Sequence, residues 1–83
     1  MRATVLVRPK QGILDPQGEA VEQALRQLGF AVDGARVGRV VDLEVDAHDA
    51  AVARGEVERM CERLLANPLI ESYEIELHEN GRA

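Results

Sequence analysis

A two-layer α+β sandwich is the fold class this sequence predicts: a small antiparallel or mixed sheet covered on one face by two helices. Three observations predict it. Apolar and polar residues alternate in three separate stretches, the period-two signature of half-buried strands. The two stretches between them each carry a single apolar stripe at helical spacing, which must be buried against another layer. The outward positions of the first strand are basic and those of the other two acidic, so the first strand belongs in the middle, where cross-strand pairs are favourable.

The first strand spans about Arg2 to Lys10. Ala3, Val5 and Val7 share one face; Arg2, Thr4, Leu6 and Arg8 share the other. Pro9 lacks a backbone donor and belongs at the strand's end or at an unpaired position. Asp15 followed by Pro16 reads as the N-cap and first residue of a helix that runs to about Leu28. Val21, Ala24, Leu25 and Leu28 form its stripe, Glu22 and Arg26 form an i,i+4 pair, and Gly29 supplies a left-handed stop.

From about Ala35 to Asp46 the pattern reads as one long strand, kinked or bulged at Gly38, with two short strands meeting there as the alternative. Val37, Arg39, Val41, Leu43 and Val45 share its inner face. Gly38, Val40, Asp42, Glu44 and Asp46 lie outward. The second helix runs from about Asp49 to Ala66 with Val57, Met60, Cys61, Leu64 and Leu65 as its stripe, and Arg54–Glu58 and Arg59–Glu62 as solvent-face pairs. Asn67-Pro68 stops it, because a residue before proline avoids the helical region. The last strand is about Ser72 to His78, with Tyr73, Ile75 and Leu77 inward and Glu74, Glu76 and His78 outward. The whole chain is one domain with a frayed tail from about residue 79. Right-handed connections give the ferredoxin-like order β-α-β-(β)-α-β. An open edge, a thin core and the outward apolar pair Leu6 and Val40 predict self-association as a dimer or tetramer.

Charge and composition exclude whole classes of function. The 83 residues hold 15 acidic and 10 basic side chains, a net charge of −5. A nucleic-acid surface needs the opposite sign. Phe30 and Tyr73 are the only aromatics, so no stacking platform exists for bases. There is no apolar run long enough for a membrane span and no basic amphipathic segment for a lipid surface. With no signal-peptide pattern at Met1-Arg2-Ala3-Thr4-Val5 and a lone cysteine, the chain is expected in the cytoplasm.

The residues offer little catalytic chemistry. Cys61 sits on a helical apolar stripe and reads as a buried structural thiol. His48 and His78 have no partner at ligand spacing, so no metal site is expected. Ser72 and Thr4, the only serine and threonine, have no base beside either, and no triad can be assembled. The segment Lys10 to Gly18 stands out. Gly12 and Gly18 flank a helix start at a spacing that fits no phosphate or dinucleotide loop. Gly18 in a first helical turn is unfavourable by up to about 1 kcal/mol against alanine, which signals a close backbone approach. Arg36-Val37-Gly38-Arg39 likewise sets a glycine between arginines. No catalytic, cofactor or metal residue is assigned.

Three segments then carry a resemblance: Lys10-Gln11-Gly12-Ile13-Leu14-Asp15-Pro16-Gln17-Gly18, Arg36-Val37-Gly38-Arg39, and the run from Cys61 through Asn67-Pro68-Leu69-Ile70-Glu71-Ser72-Tyr73. In this order and spacing the chain resembles the PurS family, small subunits of phosphoribosylformylglycinamidine synthase, from about Arg2 to Leu77. Arg39 stands where lysine is common in that family, and Leu69 where valine is. The resemblance implies an adaptor without catalytic residues that joins a glutaminase subunit to a large synthetase subunit and assists ammonia transfer. It also implies that ATP and magnesium are used by the synthetase, with no cofactor on this chain. The residues it marks as partner-interface candidates are Lys10, Gly12, Asp15, Gly18, Arg36, Gly38, Arg39, Asn67, Glu71 and Tyr73. A small-ligand-binding regulatory module of the same fold remains the alternative.

Overall fold

Alternation in the first segment makes it the centre of the sheet. A computed structural model describes residues 1–78. In it β1 (Arg2–Pro9) lies between β2 (Arg39–Glu44) and β3 (Glu71–His78), antiparallel to both. Val5 pairs with Val41 on one side and Ile75 on the other, which aligns the apolar rows of all three strands. Ala3, Val5 and Val7 are fully buried on the inner face. On the outer face Arg8 pairs with Glu74 at 2.8 Å, the basic-against-acidic arrangement the charge pattern requires. The sheet has three strands, with no fourth among the described residues. The predicted frayed tail lies outside those residues.

The long second strand is corrected. Pairing with β1 begins only at Arg39. Residues 35–37 instead run beside α1 (Pro16–Gln27): the Val37 amide donates to Asp15 Oδ2 at 3.0 Å, and the Ala35 carbonyl closes on Gly18. Backbone groups satisfied by that helix start are not available for the sheet.

The second helix also differs from its sequence pattern. An α-helix, α2 (Ala50–Met60), passes into a π-helical turn at Cys61–Leu65, closed by the Ala66 amide donating to the Cys61 carbonyl at 3.0 Å. The wider turn shifts the facing of everything after it. Leu64 is 83% exposed, while Ala66, at 7%, takes its place in the core. The buried row is therefore Ala53, Val57, Cys61 and Ala66, and Met60 is left partly exposed. Arg59 pairs with Glu56 and not with Glu62, whose carboxylate is taken by Tyr73; no Arg54–Glu58 pair forms among the described residues.

Burial pushes the Cys61 thiol up, with Glu62 and Glu58 adding to the effect. A raised thiol with no solvent access is a poor nucleophile. In the native state Cys61 is expected to resist a disulfide-exchange reagent and to react only at the rate of unfolding. Stopped-flow labelling with and without denaturant checks this; fast native labelling would contradict the packing.

Only α2 and its π turn pack on the sheet. Of α1 only Gly18 is buried, and most of its stripe faces solvent: Leu28 is 73% exposed, Val21 and Ala24 are also open, and Leu25 is half-buried. Both helices were expected on one sheet face, so α1 is a correction. Its ends are nonetheless fixed. Asp15 caps one, and at the other Arg26 joins Glu22 (2.6 Å) and donates to the Val32 carbonyl (2.8 Å), while Gly29 reverses the chain at φ 95°. Residues 15–37 thus form an arm, a helix with an irregular return segment alongside, that stands off the sheet. The molecule measures 48 × 33 × 14 Å with a radius of gyration of 16.1 Å, against about 12 Å for a compact chain of this length.

Candidate functional site

Most residues singled out in the sequence converge where β1 ends, α1 begins, β2 begins and β3 begins. Asp15 organises this end. Its Oδ1 accepts from the Gly18 amide and its Oδ2 from the Val37 amide, both at 3.0 Å, so one carboxylate caps α1 and pins the arm's return segment. These two backbone donors hold its pKa below the usual carboxylate value, with nearby Arg36 helping.

Two glycines answer to the chain's own backbone. A Cβ on Gly18 would lie 2.3 Å from the Ala35 carbonyl oxygen, and one on Gly38 would lie 2.1 Å from the Val7 carbonyl oxygen. Gly12 is different. It has φ 81° with nothing within 4 Å of where a Cβ would sit, so its conformation needs glycine while the space before it is open.

Arg39 and Glu71 form a clasp between β2 and β3. The guanidinium donates to both Glu71 oxygens at 2.8 and 3.1 Å and to the Leu65 carbonyl at the end of the π turn at 2.5 Å. Glu71 Oε1 also accepts from the Asn67 amide at 2.7 Å. The Asn67 side chain accepts from the Leu69 amide at 3.1 Å, which shapes the turn into β3. Arg39 holds the Glu71 carboxyl down, and Glu71 holds the guanidinium up. Tyr73 donates to Glu62 Oε2 at 2.9 Å, a bond lost on ionisation, so its hydroxyl is pushed up to about 12.

Two sites remain unengaged. Lys10 donates its amide to the Ile70 carbonyl at 2.9 Å, but its side chain has no ion pair or hydrogen bond among the described residues, and neither has that of Arg36. Both line an open cavity of about 450 Å³ with Gly12, Ile13, Leu14 and Asp15. A second cavity of about 270 Å³ shares Pro9, Ile13, Leu14 and Asp15 with it and continues to Arg39, Ile70 and Glu71. The apolar lining was not singled out from sequence. Ile13 and Leu14 interrupt a polar loop, and Leu14 is 75% exposed.

On the outer sheet face the register supplies a base that sequence order did not. Thr4 donates to Asp42 Oδ1 at 2.9 Å and lies 3.4 Å from His78 Nε2. The expectation that no base stands beside Thr4 is corrected. The aspartate faces the hydroxyl and not the imidazole, so the row lacks the orientation a nucleophilic triad requires. No cluster of three or more metal-ligating side chains occurs among the described residues, and no helix there is long and apolar enough to cross a membrane.

The acid limb of stability follows from Asp15 and Glu71. Both have folded pKa values below their unfolded ones, so the stability they add is present above about pH 4 and is lost as pH falls through the folded values. Asp15→Ala is expected to lower the melting temperature at pH 7 and to flatten the dependence below pH 4. Thermal melts from pH 7 to pH 2 check this; an unchanged acid limb would show that the two amide bonds contribute nothing.

Comparison with known proteins gives one answer. A family model described as PurS: Phosphoribosylformylglycinamidine (FGAM) synthase matches residues 2–79. The PurS subunit of phosphoribosylformylglycinamidine synthase from Methanocaldococcus jannaschii is 37% identical over 79 residues, covering 94% of this chain and 95% of that protein. The Archaeoglobus fulgidus PurS subunit is 42% identical over 76 residues, covering 90% and 95%. The crystal structure of M. jannaschii PurS, described as one of the subunits of formylglycinamide ribonucleotide amidotransferase in the purine biosynthetic pathway, superposes with TM-score 0.83 over 94% of this chain and 95% of that one. A chain in the structure of PurLQS from Thermotoga maritima, 36% identical, gives TM-score 0.83 over 90% and 93%. A match over nearly every residue, at this identity and with the same three-stranded, two-helix architecture, places the chain in the PurS family of phosphoribosylformylglycinamidine synthase subunits.

Proposed function

We propose that this chain is the non-catalytic adaptor of a phosphoribosylformylglycinamidine synthase in the cytoplasm. It joins a glutaminase subunit to a synthetase subunit and assists ammonia transfer between them. The complex converts formylglycinamide ribonucleotide, glutamine, ATP and water to formylglycinamidine ribonucleotide, glutamate, ADP and phosphate, and ATP and magnesium act on the synthetase. The observation that carries this reading is the likeness to a chain of the PurLQS structure over nine-tenths of this sequence.

The chain works as a homodimer or a dimer of dimers. The apolar stripe of α1 and the half-buried inner side of β2, at Val41 and Leu43, do not cover one another within one chain. A second copy whose arm lies on the first copy's sheet would bury both reciprocally. Lys10, Gly12 and Arg36 meet the partner subunits directly. Asp15, Gly18, Gly38, Arg39, Asn67, Glu71 and Tyr73 hold that end of the sheet in the shape the partners meet.

Reconstitution tests the proposal. With the glutaminase and synthetase subunits present, adding this chain is expected to raise synthesis from glutamine at least tenfold and to change synthesis from free ammonia much less. Equal glutamine-dependent rates with and without the chain would overturn it.

A further inference from the structure

The two cavities beside Lys10 share four lining residues, and so form one groove across the end of the sheet. One end carries Lys10 and Arg36. The floor is Pro9, Ile13, Leu14 and Ile70. We propose that this groove holds one extended segment of a partner subunit, with a single carboxylate between Lys10 and Arg36 and an apolar side chain on that floor. The inference rests on the adaptor reading and names the chemistry by which the partner is held.

Two features of the groove select this occupant. Charge is the first. The cationic end is also lined by Asp15 and Glu19, so its charges sum to zero. One carboxylate adds a single negative charge to this end, whereas a phosphate dianion would add two to a lining that already holds two carboxylates. The backbone is the second. The amides of Gln11, Gly12 and Leu14 make no hydrogen bond among the described residues, and the open space at Gly12 lets another main chain approach them. An extended segment supplies the matching carbonyls.

The test uses the three-subunit complex. Wild-type chain is first shown to join the other two subunits by sedimentation; failure at that step counts against the adaptor reading and not against the groove. Lys10→Gln and Arg36→Gln are each expected to weaken assembly about tenfold, and Leu14→Ser to a similar extent. Melting temperatures should stay unchanged, because all three side chains are exposed. Inorganic phosphate should weaken assembly no more than chloride at equal ionic strength. Assembly of the Lys10→Gln, Arg36→Gln double variant at wild-type affinity would overturn the proposal. A phosphate-specific loss would make the groove an oxyanion site instead. If the variants lose self-association when studied alone, the occupant is a second copy.

Discussion

Gly38→Ala is expected to destabilise the chain by about 3 kcal/mol, at the upper end of overpacking penalties. The added Cβ would meet the Val7 carbonyl oxygen at 2.1 Å. That oxygen is backbone in the central strand and cannot rotate away. Relief requires β2 to move from β1, and the Val7–Arg39 register pair is the first to suffer. In a domain of this size such a loss lowers the melting temperature by roughly 12–24 °C. Gly12→Ala is the control. It has the unfavourable φ of 81° but open space around it, so its penalty is conformational only, about 1–2 kcal/mol. Calorimetry on the two variants separates close approach from backbone conformation. Equal losses would show that the β1–β2 contact at Gly38 is not tight.

Val21→Glu combined with Leu28→Glu is expected to leave each chain folded and to abolish self-association. Both side chains are exposed in the single chain, so neither change opens a cavity. In the assembly each would be buried, and burial of one such side chain is worth about 1.5–3 kcal/mol. Two positions in two copies make a dissociation constant at least a hundredfold weaker a conservative expectation. Sedimentation at micromolar concentration should then show monomers, and glutamine-dependent synthesis should fall with them. A variant that still sediments as a dimer would place the interface elsewhere, on the outer face at Leu6 and Val40 or on a strand edge. A monomer that still supports full synthesis would show that the adaptor does not need two copies.

The α+β class, both strand–helix alternations, the central place of β1 and the burial of Cys61 follow from local patterns. Period two and period 3.6 are properties of neighbouring residues, and so are Asp15-Pro16 at a helix start and Asn67-Pro68 at a helix end. Family membership was legible for a related reason: three short segments in fixed order carry it without reference to their contacts. What the sequence could not contain is which long-range partner each group finds. Gly18 and Gly38 announced a close approach, but only the tertiary structure showed that the approaching backbones are Ala35 and Val7 of the same chain. The sequence shows Arg39 only as one of two arginines beside Gly38; the fold brings Glu71 and the Leu65 carbonyl to it from 32 and 26 residues away. The π turn removed Leu64 from a stripe that counted correctly at 3.6 residues per turn, because one extra backbone residue rotates all that follows. The α1 stripe marks the limit most clearly. Periodicity requires that it be buried, but periodicity is blind to whether the covering surface belongs to the same chain or to another.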